Sequence, residues 1–424
     1  MSRTSWKELS EENRFEISGR VIESNGPVLK VSLPGAAIGS RVQIGLLSTE
    51  KLGLVTGYNE HATSVVCYDG NQGLRPGAKV RLLPGKHSID IPLNSLGLAL
   101  SATGEILDGP ISKETLNIPL EDQKIPLKSR SEEVTRFNSG VSAIDLLLPV
   151  AVGQRILICA EPGVGKTNLL TSLAESSEAD VVVFALIGER GREAKEFISQ
   201  KLSFAVRKKS TVIISTSDEP SLKRVLSAQV AVAVAEHYSK QGKNVLLLFD
   251  SLTRYLRAQR DLALASGELP VRRGYPASTF AELPKLLERA GNYQKGSITA
   301  FFTMLTGPEI DQDPMLEEVK GILDGHFILR RKIADRGVYP AISVSESLSR
   351  LASDLLTQKE RIELTKIKRL FSRLESDREL ALFAERLDPE LELAIRHEAL
   401  LEKLIKGSVT LAEVIQTIYK DDLV

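Results

Sequence analysis

Lys166 and Thr167, side by side at the end of a small-residue turn, are the pair best suited to chemistry in this chain. The turn runs through Glu161, Pro162, Gly163, Val164 and Gly165, and Asn168 follows the pair. Four apolar residues, Ile156, Leu157, Ile158 and Cys159, lead into it, and helix formers such as Leu169, Leu170, Leu173 and Ala174 lead out. A strand, a glycine-rich turn and a helix make the setting in which backbone N–H groups cradle phosphates. The helix N-terminus adds positive partial charge. Lys166 is then placed to reach the β- and γ-phosphates, and the Thr167 hydroxyl to hold Mg2+. The first position of the usual pattern is Ala160 rather than glycine, and alanine, the smallest substitute, preserves the turn.

Hydrolysis of a bound nucleotide needs carboxylates as well. The buried-strand pattern at 245–249 ends in Asp250, where a Mg2+-directed acid is expected. The same position can also start a helix as its cap. The apolar run 181–187 ends in Gly188, Glu189 and Arg190, which puts Glu189 at the C-terminal end of a strand, the edge where such sheets bind ligands. A carboxylate there can orient and deprotonate an attacking water, and losing such a base costs about 10²–10⁴ in rate. A surface Glu–Arg cluster is the plainer reading of the same residues.

The elements that must carry these groups show in the periodicity. Short β-like runs at 15–17, 28–31, 41–44, 64–68 and 79–82, punctuated by Gly and Pro, predict a small barrel or sandwich over residues 1–92. Its aromatics are few and not interleaved with Lys or Arg, which favours an assembly role over nucleic-acid binding. Before it, Trp6 and Leu9 anchor a polar tail or short helix over 1–14. Residues 93–130, broken by Gly and Pro, predict an ordered wrapping segment. From 131 to 350, apolar runs at 155–159, 181–187, 211–215, 245–249, 298–305 and 326–329 alternate with helical stretches. That alternation predicts an α/β domain, spanning 93–350 with its connector, around a mostly parallel sheet covered on both faces. The alternating run from Val230 to Ala235 is read as buried helix, because helix formers continue around it for about 20 residues. Beyond 350 the apolar spacing turns helical, through Leu364, Ile367, Leu370, Phe371, Leu380, Leu382 and Phe383, which predicts a helical domain over 351–424. Its charged positions suit solvated faces or a partner surface.

Composition narrows the function. The 424 residues carry 55 basic and 55 acidic side chains, a neutral balance that speaks against a dominant nucleic-acid role. Two cysteines, Cys67 and Cys159, give no disulfide framework or metal spacing and suit a reducing compartment. Five histidines show no catalytic or metal spacing. No apolar run approaches the ~18 residues of a membrane helix, and the first residues lack an export signal, so the expectation is cytoplasmic. The basic runs 207–209 and 330–332 read as solvated turns, or as charges lining a central pore.

Taken together, residues 185–193 around Glu189 and Arg190, 216–220, 250–254, 273–278, 281–290, 296–300, 322–326 and 339–341 resemble the ATPases of flagellar export and type III protein secretion. Residues 138–145 and 153–155 fit the same pattern. That family is related to the catalytic subunits of rotary ATP synthases, in which Thr usually follows the Glu–Arg pair; here Gly191 does. The resemblance is dense over about 130–350 and looser on either side. It implies a RecA-like P-loop core between an N-terminal β-barrel and C-terminal helices, with ATP and Mg2+ bound. It matches Lys166 and Thr167 to the phosphate and Mg2+ positions, Glu189 to the catalytic glutamate and Asp250 to the Mg2+-linked aspartate. It matches Arg190 and Arg254 to arginines near the γ-phosphate and Tyr339 to an aromatic beside adenine. Arg350 matches the arginine finger lent by a neighbouring subunit.

The partners implied are a homohexamer, a stator-like regulator, a coiled-coil central stalk, export cargo and chaperones, and the export apparatus at the inner membrane, with no nucleic acid. A departure falls at 315–318, in what should be a loop or helix start. Two other readings remain: a non-catalytic or catalytic subunit of a rotary F/V-type assembly, and a hexameric RNA-translocating ATPase. The first, as a non-catalytic subunit, usually lacks the glutamate at 189, and the neutral, aromatic-poor barrel disfavours the second.

Overall fold

The computed structural model describes residues 16–45, 50–85, 87–120, 125–307, 314–378 and 387–419. The tail expected over 1–14, Phe15, and the helical positions Leu380, Leu382 and Phe383 lie outside the described residues.

Six antiparallel strands close the N-terminal barrel in the order β1-β2-β5-β4-β3-β6. They are β1 (Ser18–Asn25), β2 (Val28–Val31), β3 (Arg41–Ile44), β4 (Lys51–Tyr58), β5 (Thr63–Cys67) and β6 (Lys79–Leu82). Val21, Leu29, Val31, Val42, Ile44, Val55, Val65 and Val80 fill the interior, which leaves no open edge. Two sequence readings shift here. The first strand starts at Ser18, past the described end of the 15–17 run, and β4 joins the barrel although Gly53 and Gly57 look like turn residues in sequence. Gly53 is instead required by close approach: a Cβ there would stand 2.9 Å from Val65 Cγ1.

The connector contributes pairing of its own. Strand β7 (Ser88–Pro92) pairs with β10 (Thr115–Pro119). Strand β8 (Ala99–Ser101) runs parallel to a central strand, and β9 (Ile106–Asp108) returns beside β8. After a two-residue pair, β11 (Arg136–Phe137) with β12 (Val150–Ala151), come the central strands. These are β13 (Arg155–Ala160), β14 (Val181–Glu189), β15 (Ser210–Thr216) and β16 (Asn244–Asp250). A short ribbon, β17 (Pro270–Arg272) with β18 (Tyr275–Pro276), precedes β19 (Gly291–Asn292), β20 (Ser297–Leu305), β21 (Gly325–Leu329) and β22 (Ile342–Ser349). The large sheet runs β22-β21-β13-β20-β16-β14-β15-β8-β9, parallel from β21 to β8, with antiparallel β22 and β9 at its ends and β19 beside β20.

Both faces of that sheet are covered, as the continuously apolar strands require. On β14, Val181, Val183, Ala185 and Ile187 face one layer, and Val182, Phe184 and Leu186 the other. The first layer holds α3 (Ser221–Lys240), α4 (Leu252–Ala265), α5 (Ala277–Leu287) and α6 (Pro314–Ile322). The second holds α1 (Lys166–Ser176) and the C-terminal helices α7 (Gln358–Ser376), α8 (Pro389–Arg396), α9 (Glu398–Ile405) and α10 (Leu411–Ile418). The stretch 193–202, one helix by its sequence pattern, is divided between α2 (Gly191–Glu196) and a wider π turn at Phe197–Lys201. Residues 315–318 open α6.

Candidate active site

The phosphate loop leaves the C-terminal end of β13, the middle strand between β21 and β20. Gly163 and Gly165 hold φ of 83° and 94°, left-handed conformations that suit glycine. Gly165 caps α1, whose first two residues are Lys166 and Thr167. A Cβ at Gly165 would stand 3.2 Å from Tyr339 Cε1, so the Tyr339 ring lies against the loop. Tyr339 is 48% exposed and keeps ring surface free for stacking.

The two acids meet beside the loop because their strands are neighbours. In the β14–β16 register Leu186 pairs with Asp250, the last residue of β16, and Glu189 ends β14. Lys166 Nζ donates to Asp250 Oδ1. The Thr303 hydroxyl of β20 donates to the same oxygen at 2.9 Å. Asp250 is buried, and these donors satisfy its carboxylate inside the sheet. Thr303 is not singled out by the sequence; it stands one step past the Phe249–Phe302 pair and so level with Asp250.

Glu189 pairs with Arg254 of α4, Nε to Oε1 at 3.3 Å. Burial first, then the negative charge of Asp250, push its carboxyl up to about 7, against the pull of Arg254 and Lys166. Gly188, at φ 67°, makes this pair possible: a Cβ there would come within 2.9 Å of Arg254 Cδ. Thr167, Asn168, Glu189 and Asp250 line one cleft of about 250 Å³, together with Glu193, Phe197 and Lys201.

Of the expected arginines, Arg254 alone pairs with Glu189 or Asp250. Arg190 precedes α2, is largely exposed, and pairs with Glu193 at 3.5 Å. Arg350 follows β22, whose last residue Ser349 pairs with Gly325 at the start of β21. The loop instead starts level with Leu329, at the far end of β21. Four residues of strand separate these ends, roughly 13 Å. Arg350 is exposed at the opposite edge of the sheet from its own phosphate loop. A residue not expected at the loop is Arg331, from the basic run read as a solvated turn. It donates to the Pro162 carbonyl and stands 3.6 Å from Glu161 Oε2, bracing the loop's outer wall.

Loop, paired lysine and aspartate, and a protonatable glutamate at about 7 together provide for binding a phosphate chain and activating water beside it. Comparison with known proteins agrees. Residues 140–349 match the model of the ATP synthase alpha/beta family, nucleotide-binding domain, and residues 21–83 that family's beta-barrel domain. A flagellum-specific ATP synthase of Pseudomonas aeruginosa is 37% identical over 94% of this chain and 90% of its own. The SPI-1 type 3 secretion system ATPase of Salmonella typhi is 41% identical over 85% and 84%. The assembled ATPase EscN of the enteropathogenic E. coli type III secretion system superposes with a TM-score of 0.86 at 35% identity, over 95% of this chain and 99% of EscN. This chain belongs to the flagellar and type III secretion ATPases of the ATP synthase alpha/beta family.

Proposed function

We propose that this ATPase is the motor of a flagellar or type III export apparatus, hydrolysing ATP at subunit interfaces to release chaperones and unfold exported proteins. The observation that carries the chemistry is the meeting of Lys166–Asp250 and Glu189–Arg254 at the ends of adjacent strands. The loop N–H groups and Lys166 bind the β- and γ-phosphates, and Tyr339 packs beside the adenine ring. The Thr167 hydroxyl and the Asp250 carboxylate are hard oxygen donors lining one cleft, a set that fits Mg2+. When bound, that ion neutralises charge on the phosphate oxygens. Glu189 accepts a proton from the attacking water as the water oxygen bonds to the γ-phosphorus and the bond from that phosphorus to the bridging oxygen breaks, giving ADP and inorganic phosphate. Arg254 holds Glu189 in place next to the γ-phosphate, with Arg190 at the rim.

Arg350 serves as the finger for a neighbouring copy in a homohexamer. Such a group contributes about 10³–10⁵ in rate, or roughly 4–7 kcal/mol of barrier. Its place at the sheet edge opposite its own loop supports delivery to another chain. The solved assembly of EscN, and its complex with the central stalk EscO, support an oligomer and a central stalk here as well. A stator-like regulator, export cargo and chaperones, and the export apparatus complete the set of partners. In this reading the barrel serves assembly, the C-terminal helices meet cargo and chaperones, and the ring works at the cytoplasmic side of the inner membrane. Among the described residues no helix is long and apolar enough to cross a membrane.

The test is Glu189→Gln. It keeps ATP binding, measured by nucleotide titration, and lowers kcat about 10²–10⁴-fold. Turnover at the wild-type rate would end the base assignment.

A further inference from the structure

Gln154 lies outside the cleft, yet it is 1% exposed and its amide is fully engaged. Its Oε1 accepts the Ala151 N–H at 2.8 Å. Its Nε2 donates to the Asp324 carbonyl at 3.0 Å and reaches Ser349 Oγ at 3.1 Å. Both of those targets form the mount of Arg350. The Asp324 carbonyl also accepts the Arg350 N–H at 2.9 Å, and Ser349 is the residue before Arg350. A carbonyl oxygen has two lone pairs; Gln154 takes one and Arg350 the other.

The rest of the mount is equally constrained. Arg155 grips the Asp324 carboxylate with Nε at 2.9 Å, Nη2 at 3.0 Å and its own N–H at 3.0 Å. Ser349 Oγ donates to the Pro149 carbonyl at 2.7 Å. The Arg350 guanidinium donates to the Lys320 carbonyl, near the end of α6, at 3.1 Å. Gln154 and Arg155 lead straight into β13, and the phosphate loop leaves the other end of that strand.

We propose that Gln154 is a positioning residue for Arg350: its amide ties the backbone of the finger to the lead-in of the same subunit's phosphate-loop strand. This rests on the reading of Arg350 as a finger. A planar amide bonded at three points fixes the spacing between the Asp324 carbonyl and Ser349, and with it the direction in which the Arg350 side chain leaves the sheet. The effect belongs to the transition state, so it falls on kcat and spares KM.

The experiment is a double-mutant cycle in the full chain under assembling conditions, reading kcat and KM for ATP. Gln154→Met alone lowers kcat about tenfold and leaves KM within about twofold. In an Arg350→Ala background the same change alters kcat by less than about twofold, because the group it positions is gone. A tenfold loss that persists in that background, or a Gln154→Met enzyme with wild-type kcat, overturns the proposal. Arg350→Ala turning over at the wild-type rate instead overturns the finger reading, and this inference with it. If Gln154→Met does not fold, Ser349→Ala cuts the same tie from the other side, leaves the Ala151 N–H bonded, and is judged by the same two comparisons.

Discussion

Glu189 gives the base role a signature in pH. Only the ionised carboxylate can take the proton, and burial beside Asp250 holds the group at about 7. The rate therefore rises with pH through about 7 and levels above it, visible in a profile of kcat/KM. Arg254 pulls this carboxyl down, so Arg254→Gln moves the limb to higher pH; a limb that stayed or fell would contradict the pairing. Gly188→Ala acts on the same pair through the backbone. A left-handed alanine costs roughly 1–2 kcal/mol, and its Cβ would displace Arg254. Thermal unfolding checks the first effect and the pH limb the second. Glu189 and Asp250 were legible as acids ending apolar runs. The partners that hold them, Arg254 and Thr303, come from other strands and helices, and no local pattern announces that contact.

Helices were legible where one face or a cap declares itself. Thr357 and Glu360 form a capping box that starts α7. Thr357→Ala removes an exposed cap and costs about 1 kcal/mol in denaturant unfolding. Glu375, at the other end of α7, does more. Its carboxylate accepts from Ser343 Oγ, from the Val344 N–H at 3.0 Å and from the Ser345 N–H at 3.3 Å on β22. Glu375→Ala orphans that set and costs more than the cap, about 1–3 kcal/mol for each buried group left unpaired. Equal losses for the two variants would sink this ranking. Strand β22 illustrates what periodicity misses. Its Ser343, Ser347 and Ser349 are buried alongside Ile342 and Val344. Serines read as loop in a sequence; here they are tolerated inside because Glu375 and backbone carbonyls accept from them and the Gln154 amide donates to Ser349.

Assembly makes the largest demand on the molecule. If the finger is lent across an interface, Arg350→Ala and Lys166→Ala subunits are each severely slowed, though not silent, alone. Randomly mixed in equal amounts, roughly a quarter of the interfaces pair an intact loop with an intact finger. Steady-state ATPase activity then rises well above that of either parent on mixing, and a mixture as slow as its parts would exclude the shared interface. By itself the sequence determined the succession of barrel, parallel-sheet core and C-terminal helices and marked the nucleotide-binding loop, because phosphate loops, buried parallel strands and amphipathic helices are specified by neighbours in the chain. The tertiary structure decided which strand ends stand side by side, how Glu189 comes to titrate near neutrality, and that Arg350 stands at the sheet edge away from its own loop. Those properties depend on strand order and burial, which arise only when residues far apart in sequence are packed into one low-dielectric interior.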